Sequence, residues 1–161
     1  MRIWRITAAR YRAEALLGRG ARAVGGRWNS PGTAVGYAAE SAELAVLELL
    51  MHTGPELVPA ERLLLEFELP DDAVRELRKP PRGWDLPQPY LADVQRIGDQ
   101  WIEKGESLAL RVPSAVLPFR ANVLVNPLHP RFAEIREMSC TPFTWPARLR
   151  AFLEQRQSAA S

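Results

Sequence analysis

The stretch AVGYAAESAELAVLELLM, residues 34–51, predicts a short strand that leads directly into a helix. Its first six residues, Ala34–Ala39, are mostly apolar and carry Tyr37, which is typical of a buried strand. Ser41 is the predicted N-cap of the helix, which has an acidic residue in its first turn and Gly54 just past its end. This unit predicts an apolar helix next to a buried strand.

One carboxylate, Glu48, interrupts the apolar sequence of this helix. Its neighbours in the sequence are Val46, Leu47, Leu49 and Leu50. A carboxylate in such surroundings is unfavourable unless it is solvated, paired or used in chemistry. Periodicity alone favours a solvated stripe along the helix over a functional role, so the pattern leaves both interpretations open.

The N-terminal segment is rich in arginine. Met1–Thr7 is a predicted strand carrying Arg5, and alternation does not decide whether this side chain points into a cleft or to water. Residues 18–34, rich in glycine and arginine, are predicted to form a functional loop. Within its motif GGRWN, the two glycines allow close approach of a ligand, and Arg27 suits phosphate oxygens, although most loop arginines are simply solvated.

Beyond residue 60 the pattern predicts a mixture of strands and helices without a regular βαβ repeat. The predicted extended segments are Arg62–Leu69, Ser107–Val112, Ala115–Leu117, Asn122–Val125 and Phe132–Glu137. The predicted helices are Asp71–Lys79, Pro89–Lys104 and Pro146–Arg156. We therefore expect an α+β fold with a mixed, mostly antiparallel sheet, in one domain over residues 1–156 with a flexible tail at 157–161.

Composition excludes several classes of protein. The 161 residues carry a net charge of +2, with 47% apolar and 25% charged residues, as expected for a globular chain. No segment has the length and apolar character of a membrane span or signal peptide, and the lone Cys140 cannot form an internal disulfide, so a cytoplasmic location is expected. No Walker loop, GxGxxG, CxxC or HExxH motif is present, and no metal site is expected.

Five segments, taken in order, resemble the RES domain, which is named for an arginine, a glutamate and a serine. The matching segments are Gly26–Gly32, Val35–Ser41, Ala45–Glu48, Val112–Val116 and Asn122–Pro130. Each is unremarkable by itself, since a buried tyrosine or a turn serine or asparagine is common. Together the segments cover the chain from Ile3 to about Phe132.

The resemblance implies a fold like that of the ADP-ribosyltransferases and a toxin that is paired with an Xre-like helix-turn-helix antitoxin. Such proteins use NAD as substrate rather than as cofactor, and they hydrolyse it, phosphorolyse it or transfer its ADP-ribose to a protein. By motif, Glu48, Arg27 and Tyr37 are the expected catalytic residues. The expected NAD-binding residues are Arg5, Arg27, Tyr37, Ser114 and Asn126.

Specific roles follow from the chemistry of NAD⁺. Glu48 would stabilise an oxocarbenium-like ribose, and Arg5 and Arg27 would clamp the pyrophosphate. Tyr37 would stack on the nicotinamide, and Ser114 or Asn126 would hydrogen-bond the ribose or the carboxamide.

Two alternatives remain at this stage. The basic N-terminal segment, with seven arginines and one acid in residues 1–30, could serve a nucleic-acid-binding regulator, although no recognition-helix pattern is present. The chain could also be an inactive interaction module. On the favoured interpretation the protein binds neither nucleic acid nor membrane directly, and forms a hetero-oligomer with its antitoxin.

Overall fold

The computed structural model describes residues 1–52 and 61–158. Its strands are β1 Arg2–Ala8, β2 Gly36–Ala39, β3 Arg62–Glu68, β4 Val74–Glu76, β5 Ala109–Pro113, β6 Ala121–Val125 and β7 Arg136–Phe143. Its α-helices are α1 Arg19–Val24, α2 Ala42–His52, α3 Ala92–Lys104 and α4 Ala147–Ser158, and short 3-10 helices occupy Ala9–Glu14, Asp71–Ala73 and Pro130–Glu134.

The strands form one seven-stranded sheet in the order β4-β5-β6-β2-β1-β3-β7. Only the β4–β5 pair is parallel among the described strands, and all the other neighbours are antiparallel. The predicted α+β fold with a mixed, mostly antiparallel sheet is therefore confirmed.

The sheet is weakest at the junction between β1 and β2. Strand β1 pairs with β3 over its whole length, and β2 pairs with β6 over all four of its residues. Between β1 and β2, however, the one registered pair is Trp4 with Ala39. Next to this pair the Arg5 guanidinium donates a hydrogen bond to the backbone carbonyl of Tyr37. A side-chain hydrogen bond thus takes the place of the backbone hydrogen bond that a longer β-ladder would make. The sheet thus has two well-paired halves with a break between them.

Helices cover one face of the sheet in two separate places. Helix α2 packs Leu44 and Ala45 against Ala39 of β2, with Trp4 and Ile6 of β1 around them. Helix α3 packs a second cluster, whose buried members are Trp28, Val35, Val94, Trp101, Leu110, Val112 and Leu124. The other face forms the third cluster, around Ile3, Leu65, Phe67 and Val123. Helix α2 therefore packs across the junction between β1 and β2.

Two predicted elements are wrong. Asp71–Lys79 is a short 3-10 turn followed by β4, not a helix, because Val74 pairs with Ala109 at the sheet edge and so short a helix gains little by itself. Phe132–Glu137 is not a strand either. A 3-10 turn with Pro130 in its first position occupies Pro130–Glu134, and the strand that follows runs to Phe143, paired with β3.

Three smaller predictions also need correction. The loop predicted for residues 18–34 contains helix α1. Helix α3 begins at Ala92 rather than Pro89, and the residues before it are held by other contacts described below. Ala115–Leu117 forms a turn instead of extended chain, because Ser114 Oγ accepts the N–H groups of Val116 and Leu117, at 3.1 Å each.

The ends of two predicted elements fall at the edge of the described chain. Helix α2 is described as far as His52, so the predicted stop at Gly54 lies outside the described residues. The predicted tail at 157–161 begins inside α4, and its last three residues lie outside the described chain as well. No helix in residues 1–52 and 61–158 has the length and apolar character needed to cross a membrane.

Candidate active site

A cleft of about 960 Å³ opens at the break in the sheet. Its lining comes from β1, β2, α2 and β6, from the loop that contains Arg27, and from the segment before α3. A cavity of this size falls in the range of small-molecule and cofactor sites. Charged or titratable side chains reach it from every side, namely Arg5, Arg27, Tyr37, Glu48, His52, Asp85 and Tyr90.

Glu48 lies on the wall of this cleft and is held by three side chains. Its Oε1 atom accepts hydrogen bonds from Ser114 Oγ at 2.7 Å and from Asn122 Nδ2 at 2.6 Å. Its Oε2 atom lies 3.4 Å from Nε2 of His52, one helical turn further along α2. With 20% of its side chain exposed, Glu48 is neither on a fully solvated stripe nor sealed in the core.

These contacts determine the charge of Glu48. Burial alone would raise the pKa of its carboxyl, because the charged form loses solvation. Hydrogen bonds from His52, Asn122 and Ser114 favour the carboxylate and together hold the pKa below its ordinary value of 4.5. Glu48 is therefore an ionised carboxylate at neutral pH, facing the cleft.

Tyr37 forms part of the opposite wall. Its hydroxyl donates to Asn29 Oδ1 at 2.8 Å and accepts the backbone N–H of Trp28 at 3.1 Å. Burial raises the pKa of this hydroxyl, so Tyr37 stays neutral. A Cβ at Gly26 would lie 2.6 Å from the same hydroxyl, so the backbone can pass this closely only with glycine there.

Arg27 follows directly and joins two segments of the chain. Its Nη1 donates to the carbonyls of Trp84 at 2.5 Å and Leu86 at 2.7 Å, and its guanidinium lies 4.9 Å from the centre of the Tyr90 ring. Within the described residues, no carboxylate lies within ion-pair distance of Arg27. Because Nε and Nη2 have no partner there, Arg27 retains donors for an anion in the cleft.

Arg5 enters the cleft from β1. One Nη donates to the Tyr37 carbonyl, and the buried Nε has no hydrogen-bond partner in the described part of the chain. Burial lowers the pKa of Arg5, but arginine retains its charge in proteins. The cleft thus holds a second cation that no described carboxylate neutralises.

Helix α3 anchors the loop that carries Arg27. Gln95 Nε2 donates to the carbonyls of Gly26 at 2.9 Å and Asn29 at 3.1 Å, and Asp99 Oδ1 accepts the N–H of Ser30 at 3.0 Å. At Gly98 the helix approaches the loop so closely that a Cβ would lie 1.8 Å from the carbonyl oxygen of Trp28. These contacts fix the loop without using the Arg27 side chain.

The structure brings four of the six predicted site residues, Arg5, Arg27, Tyr37 and Glu48, to the cleft. Ser114 is fully buried behind Glu48 and is not among the residues that line the cleft. Asn126 is not brought to the site either.

Asn126 has a different position from the one its motif suggested. Its Oδ1 accepts the N–H of Leu128 at 2.9 Å, and its Nδ2 lies 3.5 Å from the carbonyl of Ile102. The side chain is 1% exposed and stabilises the turn after β6.

Two residues of the site were missed at the sequence level. Asn122 is a lone amide in the apolar strand ANVLV, which is a usable signal. His52 lies four residues after Glu48, one turn further along the same helix. Neither pattern indicated that both side chains reach the same carboxylate.

Several N-terminal arginines make ion pairs with glutamates. Arg2 pairs with Glu66, Arg12 with Glu137 and Arg19 with Glu14, at 2.5–2.7 Å. Arg5 and Arg27 lie in the cleft. These five arginines therefore make separate contacts in the described part of the chain.

Comparison with known proteins agrees with these features. Residues 2–146 match the RES domain family. The chain is 37% identical over 153 residues to the Prs ADP-ribosylating toxin of Sphingobium sp. (strain YBL2), covering 91% of this chain and 94% of that protein. It is 35% identical over 130 residues to Toxin Res of Photorhabdus laumondii subsp. laumondii, covering 80% and 83%.

A solved structure shares the fold. A chain of the M. tuberculosis MbcT–MbcA toxin–antitoxin complex superposes with a TM-score of 0.72 at 22% identity, over 96% of this chain and 87% of that one. Likeness at this identity extends to the architecture of the sheet and helices. The extent of the domain match and the identity to the two toxins show that this chain belongs to the RES-domain family.

Proposed function

We propose that the protein is the toxin of a toxin–antitoxin pair, that it binds NAD⁺ in the cleft, and that it cleaves the nicotinamide–ribose bond. The observation that carries this proposal is the arrangement of Glu48, an ionised carboxylate, in one cleft with Arg5 and Arg27, which no described carboxylate neutralises. NAD⁺ has a group that suits each of these charges. Its pyrophosphate suits the two arginines, and its ribose, which becomes cationic during cleavage, suits the carboxylate.

The reaction needs only one carboxylate. The nicotinamide of NAD⁺ is a pyridinium, so when the bond between C1′ and the ring nitrogen breaks, the electron pair neutralises the ring and no general acid is required. Positive charge develops on the ribose as an oxocarbenium-like centre, which Glu48 stabilises. When water attacks C1′, the products are nicotinamide, ADP-ribose and one proton.

The opposite wall supports binding. The free donors of Arg27 suit the oxygens of a pyrophosphate, with which guanidinium forms two-pronged hydrogen bonds, and the positive charge of Arg5 in the same cleft attracts the same anion. Because the hydroxyl of Tyr37 is used by Asn29 and Trp28, its ring is held in a fixed orientation for stacking against nicotinamide. Fixed partners reduce the reorganisation that binding costs.

The names of the relatives support a role as a toxin, and they bear on which group accepts the ADP-ribose. One relative is an ADP-ribosylating toxin, so a protein side chain stands beside water and phosphate as an acceptor of the ADP-ribose. The shared fold with a chain of a toxin–antitoxin complex supports an antitoxin partner, which we expect to be Xre-like, in a hetero-oligomer. NAD serves as substrate in this proposal, without a further cofactor.

The test compares two glutamates on α2. Glu48→Gln keeps the size of the side chain but removes its charge, and should lower NAD⁺ turnover on the order of 10²-fold or more because the oxocarbenium loses its counter-charge. Glu43→Gln is the matched control, since Glu43 is exposed in the first turn of the same helix and should leave turnover unchanged. Loss of NAD⁺ and release of nicotinamide are measured by chromatography.

Running both proteins with and without inorganic phosphate identifies the acceptor. Free ADP-ribose as the product indicates water, a phosphorylated ADP-ribose indicates phosphate, and turnover that depends on added cell extract indicates a protein. A Glu48→Gln protein that consumes NAD⁺ at the rate of the wild type would falsify the assignment of the carboxylate.

A further inference from the structure

The two oxygens of Glu48 have different surroundings. Oε1 accepts hydrogen bonds from both Ser114 and Asn122, and a carboxylate oxygen has about two lone-pair sites, so Oε1 is fully used. Within residues 1–52 and 61–158, Oε2 has one contact, the longer one of 3.4 Å with His52, whose side chain is 61% exposed. Oε2 is therefore the oxygen that remains for a ligand in the cleft.

The contact from Ser114 has a single possible direction. Its Oγ accepts two backbone N–H groups, from Val116 and Leu117, so both lone pairs are occupied. Its one proton is then left for Glu48, and the hydroxyl cannot turn away without breaking the turn that follows β5.

The contact from Asn122 is also determined by chemistry. If the amide were reversed, its Oδ1 would lie where Nδ2 now is, 2.6 Å from an oxygen of an ionised carboxylate, and two acceptors would repel each other. Nδ2 must therefore face Glu48. This leaves Oδ1 without a partner in the described chain, on a side chain that lines the cleft.

The backbone of Asn122 is held on both sides. It lies on β6 in register with Ala39 of β2 and with Val112 of β5, in the interior of the sheet. Helix α2, which carries Glu48, packs on the same part of the sheet through Leu44 and Ala45. The Asn122–Glu48 hydrogen bond thus links a side chain of the helix to a fixed point in the sheet.

We propose that Asn122 is a positioning residue that fixes the rotamer and the ionised state of Glu48, so that Oε2 alone is presented to the ribose. This rests on the proposed function. Ser114, which lies behind the carboxylate, contributes to the same positioning through its hydrogen bond to Oε1. A charged oxygen acts on a developing positive charge only from a defined direction, and small displacements of a reacting group cost large factors in rate.

The acid side of the pH profile depends on all the charges around Glu48. His52 comes from its own helix, Arg5 from β1, and Arg27 and Asp85 from the loops, and Tyr37 and Tyr90 are the other titratable side chains of the lining. Strand β6 and the turn at residues 114–117 carry no charged side chain, and they contribute the amide of Asn122 and the hydroxyl of Ser114. Arg120, later in the same connection, pairs with Glu40. Removing the amide therefore changes the protonation of Glu48 without adding or removing a charged group.

Two substitutions test the proposal. Asn122→Ala should lower kcat by about 10- to 100-fold, as expected for loss of a hydrogen bond to a charged group, while KM changes by less than about threefold. Its acid limb should move to higher pH. Asn122→Asp, which has nearly the same shape, places a second carboxylate against Oε1 and should move the acid limb further. If Asn122→Ala does not fold, the proposal is tested with Asn122→Asp alone.

The protonation of Glu48 is also read directly, by carbon NMR of a protein labelled at the glutamate carboxyls, with Glu48→Gln used for assignment. Both variants should raise the Glu48 pKa. Ser139→Ala is the control, because it removes a similar serine–glutamate contact, to Glu66 at 3.1 Å, outside the cleft. It should leave kcat and the Glu48 pKa unchanged.

The outcomes separate the two proposals. An inactive wild type in which Asn122→Ala still raises the Glu48 pKa refutes the proposed function and leaves the positioning role standing. A wild type that consumes NAD⁺, with folded Asn122 variants that keep its kcat and its pH profile, overturns the positioning role. Lower thermal stability without a change in the Glu48 pKa also overturns it, since a merely structural residue would behave in that way.

Discussion

The region around Glu48 and the region around Arg27 line the same cleft but are built in opposite ways. Glu48 belongs to regular elements, a helix and a central strand, and its contacts hold one of its oxygens completely. Arg27 belongs to a loop, and it uses one of its nitrogens to hold the segment before α3 while its other donors remain free. The Glu48 side presents one free carboxylate oxygen, whereas the Arg27 side keeps unused hydrogen-bond donors.

The difference follows from what each wall is proposed to do. A carboxylate that meets developing charge needs a fixed direction, which helices and strands provide more precisely than loops. A site for an anion needs several donors, and a loop anchored from behind can offer them without burying an unpaired backbone group. The anchor for the Arg27 loop is helix α3, through Gln95, Gly98 and Asp99.

The largest effect should come from breaking that anchor. Gly98→Ala places a Cβ 1.8 Å from the carbonyl oxygen of Trp28, so the helix and the loop must separate. We expect a loss of at least about 2 kcal/mol in the free energy of unfolding, with much weaker NAD⁺ binding as the loop moves. Denaturant unfolding and calorimetry measure the two effects.

Gly20→Ala is the matched control for this substitution. Gly20 is exposed on α1, and a Cβ there meets nothing within 4 Å, so alanine should leave stability unchanged or raise it by up to about 1 kcal/mol. Equal stabilities of the two alanine variants would show that α3 does not hold the loop.

An intermediate effect is expected from the unused donors. Arg27→Ala should weaken NAD⁺ binding about 10- to 100-fold, because charge-assisted hydrogen bonds to the pyrophosphate are lost, with a smaller change in kcat. Isothermal titration calorimetry measures the affinity in a Glu48→Gln background, where turnover is slow. Arg22→Ala, on the exposed side of α1, is the control and should bind like its parent. Unchanged affinity in Arg27→Ala would remove the proposed clamp.

The smallest effect concerns pH and tests the Glu48 side of the cleft. Because the folded pKa of Glu48 lies below 4.5, its carboxylate should stay charged from pH 7 down to about pH 5, and kcat should show no loss there from its protonation. The same sign applies to folding: the contribution of Glu48 to stability is present above its unfolded pKa and disappears as the pH falls through the lower folded value. Carbon NMR that places the Glu48 midpoint above 4.5 would contradict this.

The sequence allowed much of the fold to be predicted where local pattern and tertiary packing agree. The alternation of β3 and the strand–helix unit at residues 34–51 are examples, since one face of each packs in the core. Prediction from the sequence failed where pairing between distant segments decided the structure. Strand β7 is paired with β3 across about seventy residues of sequence and is largely exposed, so no buried alternation marks it.

The candidate site shows the same limit of prediction from the sequence, here for single residues. Asn122 lies within β6 and bonds Glu48, whereas Asn126, the residue that the motif indicated, directly follows β6 and stabilises a turn. The apolar surroundings of Asn122 mark it as unusual, but no local pattern shows which side chain either amide bonds. Their roles depend on whether a helix from elsewhere in the chain packs over them, as α2 does over the start of β6.

The amino-acid order by itself determined the residue types of the site, the apolar helix that carries Glu48, the glycines beside Arg27, and the resemblance to RES domains, because these are properties of short segments. Tertiary structure alone decided that β1 and β2 separate after one pair, that Arg5 turns into the resulting cleft, and that Ser114 stands behind the carboxylate rather than in front of it. Contacts between distant segments are set by how the sheet and helices pack as a whole, and no local pattern contains that information.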